Sequence, residues 1–105
     1  MVTREGFIQA LTRVAKDTLP PKSSLFLFGS RARCDENALS DWDLLILLDK
    51  PSLTYSDYGV GYPLQELGWS LGQEVNPQVY SKSEWQECQF TPFYKNVETD
   101  KIVLL

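Results

Sequence analysis

Phe28-Gly29-Ser30-Arg31-Ala32-Arg33, followed after Ser40 by Asp41-Trp42-Asp43 and the run Leu44-Leu45-Ile46-Leu47-Leu48, decides how this chain is read. Just upstream, Ser24-Leu25-Phe26-Leu27-Phe28 is a short apolar run closed by Gly29, the pattern of a buried strand. A strand ending in Gly-Ser before a helical turn presents backbone N–H groups and a hydroxyl at a helix N-terminus. That arrangement suits an anion, phosphate above all. Gly29 lets an oxyanion approach the backbone closely. Arg31 and Arg33 can add charge-assisted hydrogen bonds. Taken alone, such a turn is more often an ordinary helix start than a ligand site.

The second half needs arbitration. Ser40-Asp41-Trp42-Asp43 has the form of a helix capping box. The apolar run behind it is continuous and closed by Asp49-Lys50-Pro51, which predicts a central strand over residues 41–48 instead. On a strand, Asp41 and Asp43 point to one face, about 6.5–7 Å apart, and Trp42 points to the other. Two carboxylates held side by side repel each other unless a cation lies between them. Hard oxygen ligands at this spacing suit Mg²⁺. A lone Asp-x-Asp is usually a solvated strand end; here it leads straight into a strand buried mid-sheet.

Outward from this centre, Phe7, Ile8, Leu11, Val14 and Ala15 recur at helical spacing and predict a helix over residues 4–18, stopped by Pro20-Pro21. Residues 30–40 read as a short helical turn plus loop. Residues 54–71 read as helical in their second half, with Pro63 at the first helical position and Leu64, Leu67 and Leu71 inward. Gly72 breaks the chain. Residues 74–80 read as a strand, pushed by Pro77 toward a sheet edge or a bulge. Ser81-Lys82-Ser83-Glu84 is a capping box ahead of Trp85, predicting a helix from 82 to about 95. Residues 101–105 close with a short strand. This order gives an α/β or α+β layered domain.

Composition narrows the chemistry. The 105 residues contain no histidine, which excludes Ser-His-Asp and Cys-His nucleophile systems and imidazole-bound zinc. The formal charge is −4, which argues against broad duplex binding, so no strong nucleic-acid signal is present. Residues 1–33 carry a net +4 and the remainder −8. Two solvated faces explain that split; a basic anion surface beside an acidic cation surface explains it more sharply. Cys34 and Cys88 form no C-x-x-C pair and read as free thiols in a reducing compartment, hence a cytoplasmic protein. No apolar run approaches the ~18 residues of a membrane span.

The combined pattern is Gly29-Ser30, the ten residues from Arg31 through Ser40, then Asp41-hydrophobic-Asp43-hydrophobic. It resembles the nucleotidyltransferase family of the DNA polymerase beta type. Within that family it looks most like the minimal nucleotidyltransferases, small members often encoded beside a helical HEPN-domain partner in toxin–antitoxin pairs. The resemblance covers almost the whole chain and implies one domain over residues 1–105, with a small mixed central sheet flanked by helices. It implies that Gly29 and Ser30 bind the β/γ phosphates of an NTP, ATP being expected, with Arg31 and Arg33 beside them. Asp41 and Asp43 would hold Mg²⁺ in a two-metal site. A hydroxyl acceptor would attack the α-phosphorus and pyrophosphate would leave. Only Cys34 departs within the motif, where Gly is usual.

The family places a third carboxylate on a later strand. Here the matching stretch is Val75-Asn76-Pro77-Gln78-Val79-Tyr80, with Asn76 in the acid's place. An amide oxygen can ligate a metal but carries no charge and is no base. Glu74, two residues earlier, shares the strand parity of Asn76. Glu74 as the substitute catalytic acid, Asn76 as a weak metal ligand, and an unproductive site all remain open, as does a plain exposed acid at Glu74. Two functions follow. One is a Mg²⁺-dependent transfer of a nucleoside monophosphate from an NTP to a hydroxyl, on a HEPN-type partner protein, RNA or a small molecule. The other is a catalytically impaired antitoxin that binds its partner by contact. The chain is too short for a separate acceptor lobe, so a partner or a homo-oligomer is expected to complete the site. Trp69 and Trp85 read as packing residues, and Tyr55, Tyr58 and Tyr62 as a loosely formed helical segment.

Overall fold

Leu44 through Leu48 form the body of β2 (Trp42–Leu48), which lies inside a four-stranded sheet of order β3-β2-β1-β4. The computed structural model describes residues 3–35 and 40–105. The loop expected ahead of β2 therefore falls, at residues 36–39, outside the described residues. β1 (Ser24–Phe28) runs antiparallel to β2, and β3 (Val75–Ser81) runs parallel to it. β4 (Ile102–Val103) pairs antiparallel with β1 on the far side. The sheet is thus mixed, as the resemblance implied.

Helices cover both faces, which explains why β2 is apolar at consecutive positions. Leu25, Leu27, Trp42, Leu44, Ile46, Leu48 and Val75 face α1 (Arg4–Thr18) and α3 (Tyr62–Ser70), and pack with Phe7, Leu11, Ala15 and Leu64. Phe26, Leu45 and Leu47 face the other way, toward Trp85 of α4 (Lys82–Glu87) and Val97 of α5 (Pro92–Asp100). Fully burying each such side chain contributes about 1.5–3 kcal/mol. α1 starts where Thr3 Oγ1 accepts a hydrogen bond from the Gly6 N–H at 2.9 Å, and it ends before Pro20-Pro21.

One expected element is corrected. The helix predicted from 82 to about 95 is two helices, broken between Glu87 and Pro92. The capping box that starts α4 is present: Glu84 N–H donates to Ser81 Oγ and Ser81 N–H donates to Glu84 Oε1. Pro92 cannot continue a helix, having no N–H to give, but it fits the first turn of a new one. Thr91 caps that new helix by accepting from the Tyr94 N–H at 3.2 Å. The trailing half of 54–71 is α3, with Pro63 one position later than expected; the leading half is a 3-10 turn over Tyr55–Gly59.

β3 is an edge strand, and Pro77 explains how that edge is left. Trp42 N–H donates to the Glu74 carbonyl at 2.9 Å. In a parallel ladder this turns the even-numbered residues of β3 toward β2. Position 77 therefore faces outward, and its missing N–H interrupts the free edge rather than the ladder. Gly61, just before α3, lies so close that an added Cβ would meet the Pro77 ring at 2.7 Å.

Candidate functional site

The site forms where the end of β1 meets the start of β2. Gly29 turns the chain out of β1 with φ 77° and ψ −160°, a conformation that side-chain-bearing residues avoid. Its carbonyl accepts from the Ala32 and Arg33 N–H groups, starting the four-residue helix α2 (Ser30–Arg33). Ser30 thus stands at the first helical position. Across the ladder Phe28 pairs with Asp43, and Asp43 pairs with Asn76. The turn and the carboxylate abut: a Cβ on Gly29 would lie 2.5 Å from Asp43 Oδ2.

Asp43 is half-buried, and its other oxygen, Oδ1, accepts a hydrogen bond from Asn76 Nδ2 at 3.3 Å. Burial pushes its carboxyl above the usual carboxylate value, and the nearby charge of Asp41 pushes the same way. The Asn76 amide and the Arg33 charge oppose both. Asp41 is exposed and stands one residue before β2. Trp42 turns to the opposite face, as alternation required, and is buried against Phe7 with its Nε1 donating to Gln73 Oε1 at 2.9 Å. Among the described residues no group of three or more His, Cys, Asp or Glu side chains gathers as a metal cluster.

The carboxylates of Asp41 and Asp43 nonetheless suit a hard divalent cation. The penalty that Asp41 imposes on ionised Asp43 is the kind a cation removes. Asp41 and Asp43 are the residues that would hold such a cation, with the Asn76 amide N–H turned toward Asp43.

The other expected site residues are engaged within the chain. Arg31 donates from Nε and Nη2 to the Ser40 carbonyl, at 3.2 and 2.9 Å, and its guanidinium lies 4.5 Å from the Trp42 ring centroid. Arg33 pairs with Asp35 at 3.1 Å and with Asp100 of α5 at 2.7 Å. Glu74 is exposed and accepts from the Trp69 indole at 3.4 Å. It is Asn76, not Glu74, that reaches Asp43.

Sequence reasoning missed a cleft of about 680 Å³ along β3, lined by Tyr58, Pro77, Gln78, Val79, Tyr80, Glu84, Glu87, Cys88 and Thr91. Pro77 and Gln78 directly follow Asn76, so the cleft begins within one or two residues of the Asp43 partner along the strand. The only sequence signal for it was the two-residue parity of Asn76, Gln78 and Tyr80.

A family model described as "Nucleotidyltransferase domain" matches residues 8–103, and the chain belongs to that family. Comparison with curated proteins gives no match. Among solved structures, the chain is similar to a crystal structure of a toxin-antitoxin with AMP-PNP, at 20% identity and TM-score 0.63, over 93% of this chain and 72% of that one. A second is the toxin-antitoxin MntA-HpeT, with two aspartates two positions apart changed to glutamate, at 18% identity and TM-score 0.62 over the same shares. A third is a tri-AMPylated Shewanella oneidensis HEPN toxin in complex with MNT antitoxin, at 18% identity and TM-score 0.60, over 98% and 72%. At these identities the likeness is one of fold. No helix of the described residues is long and apolar enough to cross a membrane.

Proposed function

We propose that the chain transfers a nucleoside monophosphate from an NTP, ATP being the expected donor, to a hydroxyl on a HEPN-type toxin partner. The observation that carries this reading is the contact between the Gly29 turn and Asp43. It supports reading this turn as a phosphate cradle set against a carboxylate that a cation would relieve of repulsion. Gly29 and Ser30 bind the β and γ phosphates at the start of α2. Asp41 and Asp43 would hold Mg²⁺, which would supply positive charge against the phosphates. The acceptor oxygen forms a bond to the α-phosphorus, the bond to the β-phosphate oxygen breaks, and pyrophosphate leaves. Asn76 steadies Asp43 in its ionised form through Nδ2 and can take no proton itself. Glu74 is the acid nearest in sequence to accept the acceptor's proton, and to do so its carboxylate leaves the Trp69 indole. The partner closes the open acceptor side, and a homo-oligomer is the other arrangement that would close it. The free thiols of Cys34 and Cys88 suit the cytoplasm.

A second reading, a catalytically impaired antitoxin acting by contact, is favoured by Asn76 standing where a third acid is expected. Incubation with Mg²⁺ and α-labelled ATP, with and without a HEPN-type partner, separates the two. Label on the partner that disappears in Asp41→Ala and in Asp43→Ala supports the transferase. Tight partner binding with no label from any NTP overturns it.

A further inference from the structure

The two ends of the Arg31 guanidinium interaction fall on either side of Asp41. Its Nε and Nη2 both donate to the carbonyl of Ser40. Its Cζ lies over the ring of Trp42, 4.5 Å from the centroid. That ring is itself fixed, 2% exposed, packed on Phe7 and tethered through Nε1 to Gln73. Arg31 is held in turn, because its own carbonyl accepts from Arg4 Nη2 of α1 at 3.1 Å. α1 is thus tied to α2, and α2 to the residues on both sides of Asp41. The contrast with Asp43 is informative. Asp43 sits inside the ladder, paired to Phe28 and Asn76, and needs no brace. Asp41 lies outside the strand, exposed, and gets its fixed place from its neighbours.

We propose that Arg31 is a positioning residue for Asp41, bracing Ser40 and Trp42 so that the two aspartates keep one spacing, and that it does not serve as a ligand of the nucleotide. This rests on the reading of Asp41 and Asp43 as cation ligands. A guanidinium suits the task better than an ammonium, because its rigid fork gives two bonds to one carbonyl while its carbon rests over an indole. A phosphate taking Nε or Nη2 would have to displace the Ser40 carbonyl.

The test uses the full chain with Arg31→Gln and the milder Arg31→Lys. Three quantities are read: Mg²⁺ affinity by calorimetry, ATP affinity without added cation, and hydrogen exchange at the amides of Asp41 and Trp42. Loss of a group that orients a ligand typically lowers metal affinity about 10- to 100-fold. Arg31→Gln is expected to weaken Mg²⁺ binding within that range, to speed exchange at both amides, and to leave ATP affinity unchanged. Arg31→Lys is expected to fall between it and the unaltered chain, and carries the test if Arg31→Gln fails to fold. Weaker ATP binding with Mg²⁺ affinity and exchange unchanged makes Arg31 a phosphate ligand and overturns the proposal. If the unaltered chain binds no Mg²⁺, the reading of the aspartates fails instead. The exchange rates then judge the brace alone: faster exchange at Trp42 upholds it, and unchanged exchange overturns it.

Discussion

Asn76 Nδ2 stands 3.3 Å from Asp43 Oδ1, directly across the parallel ladder between β2 and β3. A neutral donor here does part of a cation's work, since it favours the ionised form of a carboxylate that burial disfavours. It leaves the pair with one negative charge instead of two.

Asn76→Asp removes that donor and sets two carboxylates side by side. Without a divalent cation, the variant is expected to lose about 1.5–3 kcal/mol of stability at neutral pH, the cost of a lost hydrogen bond to a charged group. Mg²⁺ is expected to restore its melting temperature more than that of the unaltered chain. Nucleotide transfer, measured with labelled ATP, is expected to rise. Lower or unchanged transfer with a restored melting temperature would show that position 76 does not limit the site.

Gly29→Ala is opposed twice, by φ 77° and by Asp43 Oδ2 2.5 Å from the new Cβ. The backbone conformation alone costs about 1–3 kcal/mol. Chemical denaturation should show that loss, and ATP binding should fall with it. Combining Gly29→Ala with Asp43→Ala removes the steric part. The pair should therefore cost less than the sum of the single changes; strict additivity would mean the contact carries no energy.

The raised carboxyl of Asp43 has a definite sign in the pH dependence. The folded chain binds this proton more tightly than the unfolded chain, because burial and then Asp41 disfavour the charge. Stability from this group is therefore full at acid pH, and declines as pH rises from the ordinary carboxylate value through the raised one. Asp43→Asn escapes the decline. It should melt higher than the unaltered chain at neutral pH without cations, and the difference should vanish in acid. The same change should abolish transfer. If Asp43→Asn instead lowers the melting temperature at neutral pH, the direction of the shift is contradicted.

Cys34 ends α2 in the left-handed conformation, φ 63° and ψ 29°, with its N–H on the Ser30 carbonyl. Such a conformation costs an ordinary residue roughly 1–2 kcal/mol. A glycine would recover that cost, less the greater freedom it has in the unfolded chain. Cys34→Gly should therefore stabilise the chain by about 0.5–1 kcal/mol, read from the denaturation midpoint. A destabilised variant would mean that the thiol makes a contact that matters.

The central strands were legible because their signal is local. An unbroken apolar run closed by Pro51, and another closed by Gly29, leave little else for residues 24–28 and 42–48 to do. The break at Thr91-Pro92 was equally local and was overridden by the strength of the capping box at Ser81. The partners of the arginines were not legible. Arg33 meets Asp100 across 67 positions, and Arg31 turns back on a carbonyl nine residues on, so nothing adjacent to either announces it. The resemblance set Asn76 in the third acid's place, and the ladder pairs it with Asp43; strand parity related Glu74 only to Asn76. It could not place the Glu74 carboxylate, because Glu74 lies just outside the ladder and its side chain meets the Trp69 indole of α3.

The outward-facing proline of β3 limits how this molecule can be joined to others. An open strand edge is a template on which foreign backbone can polymerise. At position 77 that template lacks a rung, so growth by strand addition stalls midway along β3. Whatever docks on this flank must grip by side-chain shape and charge. The chain is thereby shielded from runaway self-association at the edge that runs beside its candidate site.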